Sequence, residues 1–304
     1  VSQASTTPSA KVVVGVDGSG ADRAALLWAG GSAVAWGCPL QIVHATEYVG
    51  DVPAGLPGAD ETGLLQVLRE QAGASSAASE ARELVRGEYP DLEIDTVETV
   101  GSPAGALLDQ QEGAVMIVVG SSGKTALERV LLGTTSLSVV AHAHCPVVVI
   151  RAGVEPPAQP TGEIVVATDG STDSAAAAER AFAEAEVRGA RVRAVTTWYL
   201  EVVDGVVVTD PEGEAWRQVT ERRRQLAEAS LAAARRSHPG VESTVEVLHG
   251  PTVSTIAQAA ADSDLLVMGS RGAGGFRGKL LGSVTQKVLR SCSVPLMVVR
   301  ARGR

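Results

Sequence analysis

The residues best suited to chemistry in this sequence are glycines set beside hydroxyl and basic side chains. From Gly269 the chain reads Gly-Ser-Arg-Gly-Ala-Gly-Gly-Phe-Arg-Gly-Lys-Leu-Leu-Gly-Ser, with six glycines from Gly269 to Gly282. Glycine lets the backbone turn with positive φ and lets amide N–H groups approach an anion with no Cβ in the way. Gly282 and Ser283 open a helical pattern, Val284 to Leu289. A helix N-terminus carries free N–H groups and partial positive charge, so it is a ready seat for a phosphate. Ser283 and Thr285 add hydroxyl donors there, and Arg271, Arg277 and Lys279 add positive charge. The same skeleton stands earlier, as Gly120-Ser-Ser-Gly123, nine residues, then Gly133-Thr134-Thr135-Ser136. Its middle, Lys124-Thr-Ala-Leu-Glu-Arg-Val, has no Gly-Gly-Phe, and Glu128 adds a negative charge that Lys124 and Arg129 offset. The later copy is therefore expected to hold an anion better, and the earlier one more weakly or differently.

These loops are positioned by a chain that is written twice. Val12-Val-Val-Gly-Val-Asp17-Gly18-Ser19 returns as Ile164-Val-Val-Ala-Thr-Asp169-Gly170-Ser171, and Met116-Ile-Val-Val-Gly120-Ser121 as Leu265-Leu-Val-Met-Gly269-Ser270. Leu131-Leu-Gly133 returns as Leu280-Leu-Gly282, and Cys145-Pro-Val-Val-Val-Ile-Arg151 as Val294-Pro-Leu-Met-Val-Val-Arg300. A repeat of this length decides the architecture. The expected organisation is a tail at 1–10, one domain at 11–151, a linker at 152–162 stiffened by Pro156, Pro157 and Pro160, and a second domain at 163–304.

Within each half, short β-branched runs alternate with helical patterns. The first half predicts strands at Lys11–Asp17, Leu40–Thr46, Glu93–Thr99, Val115–Gly120 and Pro146–Arg151. Helices are predicted near Ala21–Trp36, Glu61–Gly87, Pro103–Gln111 and Thr134–His142. The second half predicts strands at Glu163–Asp169, Arg191–Thr197, Val241–Leu248, Leu265–Gly269 and Pro295–Arg300. Such alternation gives an α/β fold with a parallel sheet and helices on both faces, and apolar runs such as Val115-Met-Ile-Val-Val suit strands buried on both sides. Ser171 and Thr172 are candidate N-caps for the Ala-rich helix that follows. Ligands of such sheets bind at the carboxyl ends of strands where the strand order reverses, which points to the segments after strands one and four.

The spacing Gly-x2-Gly-x9-Gly-Ser/Thr after an apolar fourth strand, with Asp17-Gly18-Ser19 or Asp169-Gly170-Ser171 after the first, resembles the ATP-binding branch of the universal stress protein family in its tandem two-domain form. The resemblance spans all but the tail and linker. It implies two five-stranded, Rossmann-like domains of HUP type, strand order 3-2-1-4-5, and a nucleotide-binding stress-response or regulatory role with ATP, accompanied by Mg2+, as ligand. It implies that Asp17 and Asp169 hold the nucleoside and stand where they could approach a metal, with Gly15 and Ala167 as backbone neighbours. Val43 with Ala45, and Val195 with Thr197, would pack the adenine through main chain. Phosphates would lie on Gly120, Gly123, Gly133, Thr134 and Ser136 in one half and on Gly269, Arg271, Gly272, Gly282, Ser283 and Thr285 in the other. In this family the last strand commonly makes the dimer contact, so the halves are expected to dock through Val147–Ile150 and Leu296–Val299 about a pseudo-twofold axis, with a homodimer also open.

Other readings remain beside it. A nucleotide-independent interaction protein of the same fold would keep the sheet without the ligand. Gly123-Lys124-Thr125 looks like the end of a Walker A loop, but the required first glycine would be residue 118, which is Val118. An adenylating enzyme of HUP type would need a signature that Asp17-Gly18-Ser19-Gly20 only superficially approaches. The alternative role for Asp17 and Asp169 is helix capping. No general base accompanies the loops, so no catalytic residue is assigned and ATP hydrolysis would at most be slow. His142 and His144, two apart, do not share a helix face, and no metal site is assigned. The net charge of −9 argues against a nucleic-acid partner. Cys38, Cys145 and Cys292 are too few and scattered for a disulfide framework. No apolar run reaches the ~18 residues of a membrane helix, and Val1 to Ala10 lack the pattern of a signal peptide, so the cytoplasm is the expected location. The long segments Glu47–Gly63 and Tyr199–Gly213 are candidate lids.

Overall fold

The computed structural model describes residues 10–19, 22–46, 77–121, 132–154, 160–203, 206–274 and 280–301. The chain divides into two compact units, Val1–Gly153 and Val154–Arg304.

The first unit runs β1 (Lys11–Val16), α1 (Arg23–Trp36), β2 (Leu40–Thr46), α2 (Ala77–Glu88), β3 (Ile94–Val100), α3 (Pro103–Asp109), β4 (Ala114–Ser121), α4 (Thr134–His142) and β5 (Val147–Arg151). Its strands are all parallel in the order β3-β2-β1-β4-β5. Met116, Ile117 and Val118 of β4 and Val12, Val13 and Val14 of β1 are wholly buried, as central strands covered on both faces must be. α1 packs beside α2, and α3 beside α4. Because the strand order turns back at β1, the two helix pairs cover opposite faces. The expected helix at Glu61–Gly87 is seen as Ala77–Glu88; residues 61–76 lie outside the described residues, as do residues 1–9 of the expected tail, 47–63 of the first candidate lid and 155–159 of the linker.

The second unit runs β6 (Glu163–Ala167), α5 (Thr172–Arg188), β7 (Arg191–Trp198), β8 (Val202–Val203), β9 (Val206–Val207), α6 (Glu214–Ser237), β10 (Ser243–His249), α7 (Thr252–Ala259), β11 (Leu265–Gly269), α8 (Ser283–Ser291) and β12 (Leu296–Val299). The order β10-β7-β6-β11-β12 is again 3-2-1-4-5 by rank, and again parallel. The antiparallel pair β8–β9 is a short hairpin inside the second candidate lid that the sequence pattern does not announce. α5 shows why these residues make this helix. Ser171 caps it by accepting from Ser174 N–H, Asp173 sits in the first turn and Arg188 in the last, and Gly189 ends it in the left-handed conformation at φ 63°. Thr172 is its first helical residue, so the cap is Ser171 alone. Ala177, Ala178, Ala181, Phe182 and Ala185 form its buried stripe. All three cysteines are buried.

Candidate functional site

In each unit the first strand lies between the second and the fourth, and a cavity opens at their carboxyl ends, where the reversal of strand order leaves a crevice. The cavity of the first unit has a volume of about 640 Å³ and brings together Gly15, Asp17, Val43, Ala45, Gly120, Gly133, Thr134 and Ser136. Gly123 lies outside the described residues. The cavity of the second unit, about 510 Å³, brings together Ala167, Asp169, Thr197, Gly269, Arg271, Gly272, Gly282, Ser283 and Thr285. Val195 is not in its wall: the side chain is fully buried in the core, and its carbonyl accepts the N–H of Thr168.

The floor of each cavity is a helix N-terminus. α4 and α8 begin after Gly133 and Gly282, whose backbones are extended (ψ 152° and 150°) and which supply no capping side chain. The first-turn amides are therefore open to an outside acceptor. Two residues into each helix, a buried hydroxyl turns back. Ser136 Oγ donates to the Gly120 carbonyl at 2.7 Å, and Thr285 Oγ1 to the Gly269 carbonyl at 3.0 Å. These hydroxyls, expected at the phosphates, instead pin the helix start to the end of the fourth strand. The outward hydroxyls are those of Thr134 and Ser283, both exposed.

The acid after the first strand behaves alike in both units at one oxygen. Asp17 Oδ1 accepts Ser19 N–H at 2.8 Å and Asp169 Oδ1 accepts Ser171 N–H at 3.0 Å, an Asx turn that neither helix uses as its cap. The turn needs a left-handed residue next, and Gly18 (φ 74°) and Gly170 (φ 84°) supply it. Asp169 Oδ2 accepts Ala273 N–H at 2.7 Å and so holds the glycine-rich loop against the first-strand turn. A Cβ on Gly272 would stand 2.5 Å from that oxygen.

A second carboxylate, absent from the sequence reading, separates the two sites. In the first unit Asp22 is buried and its Oδ2 accepts Asp17 N–H (2.7 Å) and Gly18 N–H (3.1 Å). Burial pushes its pKa up to about 6; the amide bond from Asp17 opposes the rise, and the neighbouring Asp17 carboxylate adds to it. In the second unit the buried acid is Asp173, which points to the other loop. It accepts Ser270 Oγ (2.8 Å), Arg271 N–H (3.1 Å), Arg271 Nε (3.4 Å) and Ala301 N–H (3.3 Å). The acid of this unit is thus consumed by ordering the loop that carries Arg271.

The second cavity extends beyond the expected residues along Trp198, Tyr199, Leu200 and Glu201 to Arg223 of α6. Trp198 is buried edge-on against Trp216 (4.4 Å between centroids) and His249 (4.6 Å), over Val208 and Val219. In the first cavity His44 and Thr46 occupy the second-strand end. Among the described residues no group of three His, Cys, Asp or Glu side chains is arranged to hold a metal ion, and no helix is long and apolar enough to cross a membrane.

A doubled five-stranded parallel fold with an uncapped helix start behind a glycine under each crevice defines a class, and comparison with known proteins identifies it. The pattern of the Universal stress protein family matches residues 9–151 and again 161–300. The chain is 33% identical over 294 residues to a universal stress protein of Mycolicibacterium smegmatis, covering 96% of this chain and 97% of that one. It is 34% identical over 294 residues to a universal stress protein of Mycobacterium tuberculosis, covering 95% and 96%. A universal stress protein from Archaeoglobus fulgidus has the same fold across 96% of both chains, with a TM-score of 0.64 at 19% identity. The chain belongs to the universal stress protein family and carries two of its domains in tandem.

Proposed function

We propose that this protein binds ATP, with the cavity of the second unit as the principal site and that of the first as a weaker or differently selective one, and that occupancy serves a regulatory role in stress response. The observation that carries this reading is the start of α8: uncapped amides behind Gly282, an exposed Ser283 hydroxyl and the Arg271 side chain, all on one cavity wall. Such a wall suits a polyphosphate. The triphosphate would lie along Gly269, Gly272, Gly282 and Ser283, and the nucleoside over Asp169 towards Thr197. Mg2+ is proposed as cargo of the triphosphate and not as an ion with a protein site of its own. ATP hydrolysis is proposed to be slow at most.

The test is nucleotide analysis of the natively purified protein by HPLC, followed by calorimetric titration of the emptied protein with ATP. The reading expects co-purified adenine nucleotide or saturable ATP binding. Protein that is free of nucleotide and silent in the titration would leave the alternative, an interaction protein of the same fold.

A further inference from the structure

We propose that Arg223, held by Glu201, is a base-selecting residue of the second cavity, presenting a donor beside an acceptor to the edge of an adenine-type base. The inference rests on the ATP reading above and adds to it the group that chooses the base.

β7 and β11 flank β6, so their ends stand two inter-strand spacings apart, about 10 Å. The uncapped start of α8 lies on the β11 side. α6, which carries Arg223, packs on α5, β7 and β10, on the opposite side. Arg223 therefore faces the end of the cavity away from the phosphate seat, next to the segment that leaves β7.

That segment has the surfaces a base needs. Tyr199 is 49% exposed and Leu200 70% exposed, and both line the cavity. Flat apolar surface left open at a cavity wall suits a stacked ring. Trp198 behind them is locked by Trp216 and His249, and Glu201 is fixed by its carbonyl, which accepts Val208 N–H at 2.9 Å. The platform is held in place before any ligand arrives.

Charge and hydrogen bonding then single out Arg223. The Glu201 carboxylate serves two arginines, Arg222 at 3.2 Å and Arg223 through its other oxygen, so among the described residues one positive charge is left over. A guanidinium has five N–H donors. Arg223 gives one to Glu201, and its buried Nε finds no acceptor. The Arg223 side chain is 28% exposed and lines the cavity, so its remaining terminal N–H groups can meet an acceptor there. The carboxylate oxygens keep lone pairs of their own. Adenine offers an acceptor, N7, beside a donor, the N6 amino group, whereas guanine offers two acceptors, N7 and O6, on the same edge. The Arg223–Glu201 pair matches the first and sets a carboxylate against the second.

The test is calorimetric titration of the full chain with ATP, GTP and inorganic triphosphate, for the wild type, Arg223→Met and Arg223→Lys. The wild type is expected to bind ATP at least about tenfold tighter than GTP, and either variant to bring that ratio below about threefold by weakening ATP, with triphosphate affinity unchanged. Arg223→Lys keeps the charge and the stem, so it covers the case in which Arg223→Met fails to fold. If the variants weaken ATP, GTP and triphosphate equally, Arg223 contacts phosphate or merely props the segment, and the proposal is overturned. An unchanged ratio, or a wild type that prefers GTP, overturns it too. A wild type that binds neither ATP nor triphosphate removes the ATP reading itself, and this inference with it; one that binds both but ignores the base removes the inference alone.

Discussion

The two cavities are built on one plan and differ in where a single buried carboxylate points. Asp22 is the N-cap residue of α1, whereas Asp173 is the second residue of α5. A shift of two positions turns a side chain by ~200° around a helix. In the first unit the acid turns to the first-strand turn, where it bonds Asp17 N–H and Gly18 N–H and shares its space with a second carboxylate. In the second it reaches the fourth-strand loop and is matched by Ser270 and Arg271. One fold thus yields a site in which two carboxylates stand side by side and a site whose acid orders a cation. Conserving the glycine spacing does not conserve the electrostatics.

The largest effect that would break this comparison concerns the close approach of α5 to β11. A Cβ at Gly269 would stand 2.8–3.0 Å from backbone and Cβ atoms of Asp173, while a Cβ at Gly120 meets nothing nearer than Asp22 Oδ1 at 3.6 Å. Gly269→Ala is expected to cost about 3 kcal/mol of second-unit stability, and Gly120→Ala less than about 0.5 kcal/mol, in urea unfolding. Equal costs would mean that the acids do not set the spacing of helix and strand.

Next is the pH response. The Asp22 pKa is raised in the folded state from 3.8 to about 6, so the native state binds the proton more tightly than the unfolded chain. Its stabilising contribution is complete below about pH 4 and is lost as pH rises through about 6, a change of up to about 3 kcal/mol at 1.36 kcal/mol per unit. Asp22→Asn is expected to flatten that part of the stability profile. A profile unchanged by the substitution would show that the acidic pair is not strained. Asp173→Asn should cost about 2 kcal/mol, because a charged acceptor for buried donors is weakened, and should weaken ATP binding by loosening the Arg271 loop. Smallest of the four, Ser136→Ala and Thr285→Val should each cost about 1 kcal/mol by unpinning a helix start, measured as a shift in thermal midpoint. Their similarity is itself the expectation, since this bond is common to both sites.

Much of this architecture is legible in the residues. Val115-Met-Ile-Val-Val reads as a strand buried on both faces because it is one, and the Gly-Ser/Thr pairs mark the helix starts. The sites are less legible where tertiary packing decides. Ser136 and Thr285 carry hydroxyls at the right spacing for phosphate, yet the nearest strand carbonyl takes them. Val195 shares its position with Val43, but only Val43 reaches a cavity wall. Asp22 and Asp173 stand at offset 151 where the surrounding motif has 152 (residue 169 against 17), so aligning the halves does not pair them. Arg223 lies 22 positions beyond Glu201 in a helix whose sequence reads as surface, and only the fold of the β7–α6 segment brings them together.

In the function proposed above the two sites are unequal, the second being the stronger. Ser283 and Thr134 occupy matching exposed first positions of α8 and α4, where an acidic residue is compatible with the helix and repels a phosphate. Calorimetric titration of ATP into Ser283→Asp and Thr134→Asp compares them directly. The tighter binding is predicted to vanish in Ser283→Asp and to persist in Thr134→Asp. Loss of the tighter binding in Thr134→Asp, with Ser283→Asp unaffected, would contradict the account.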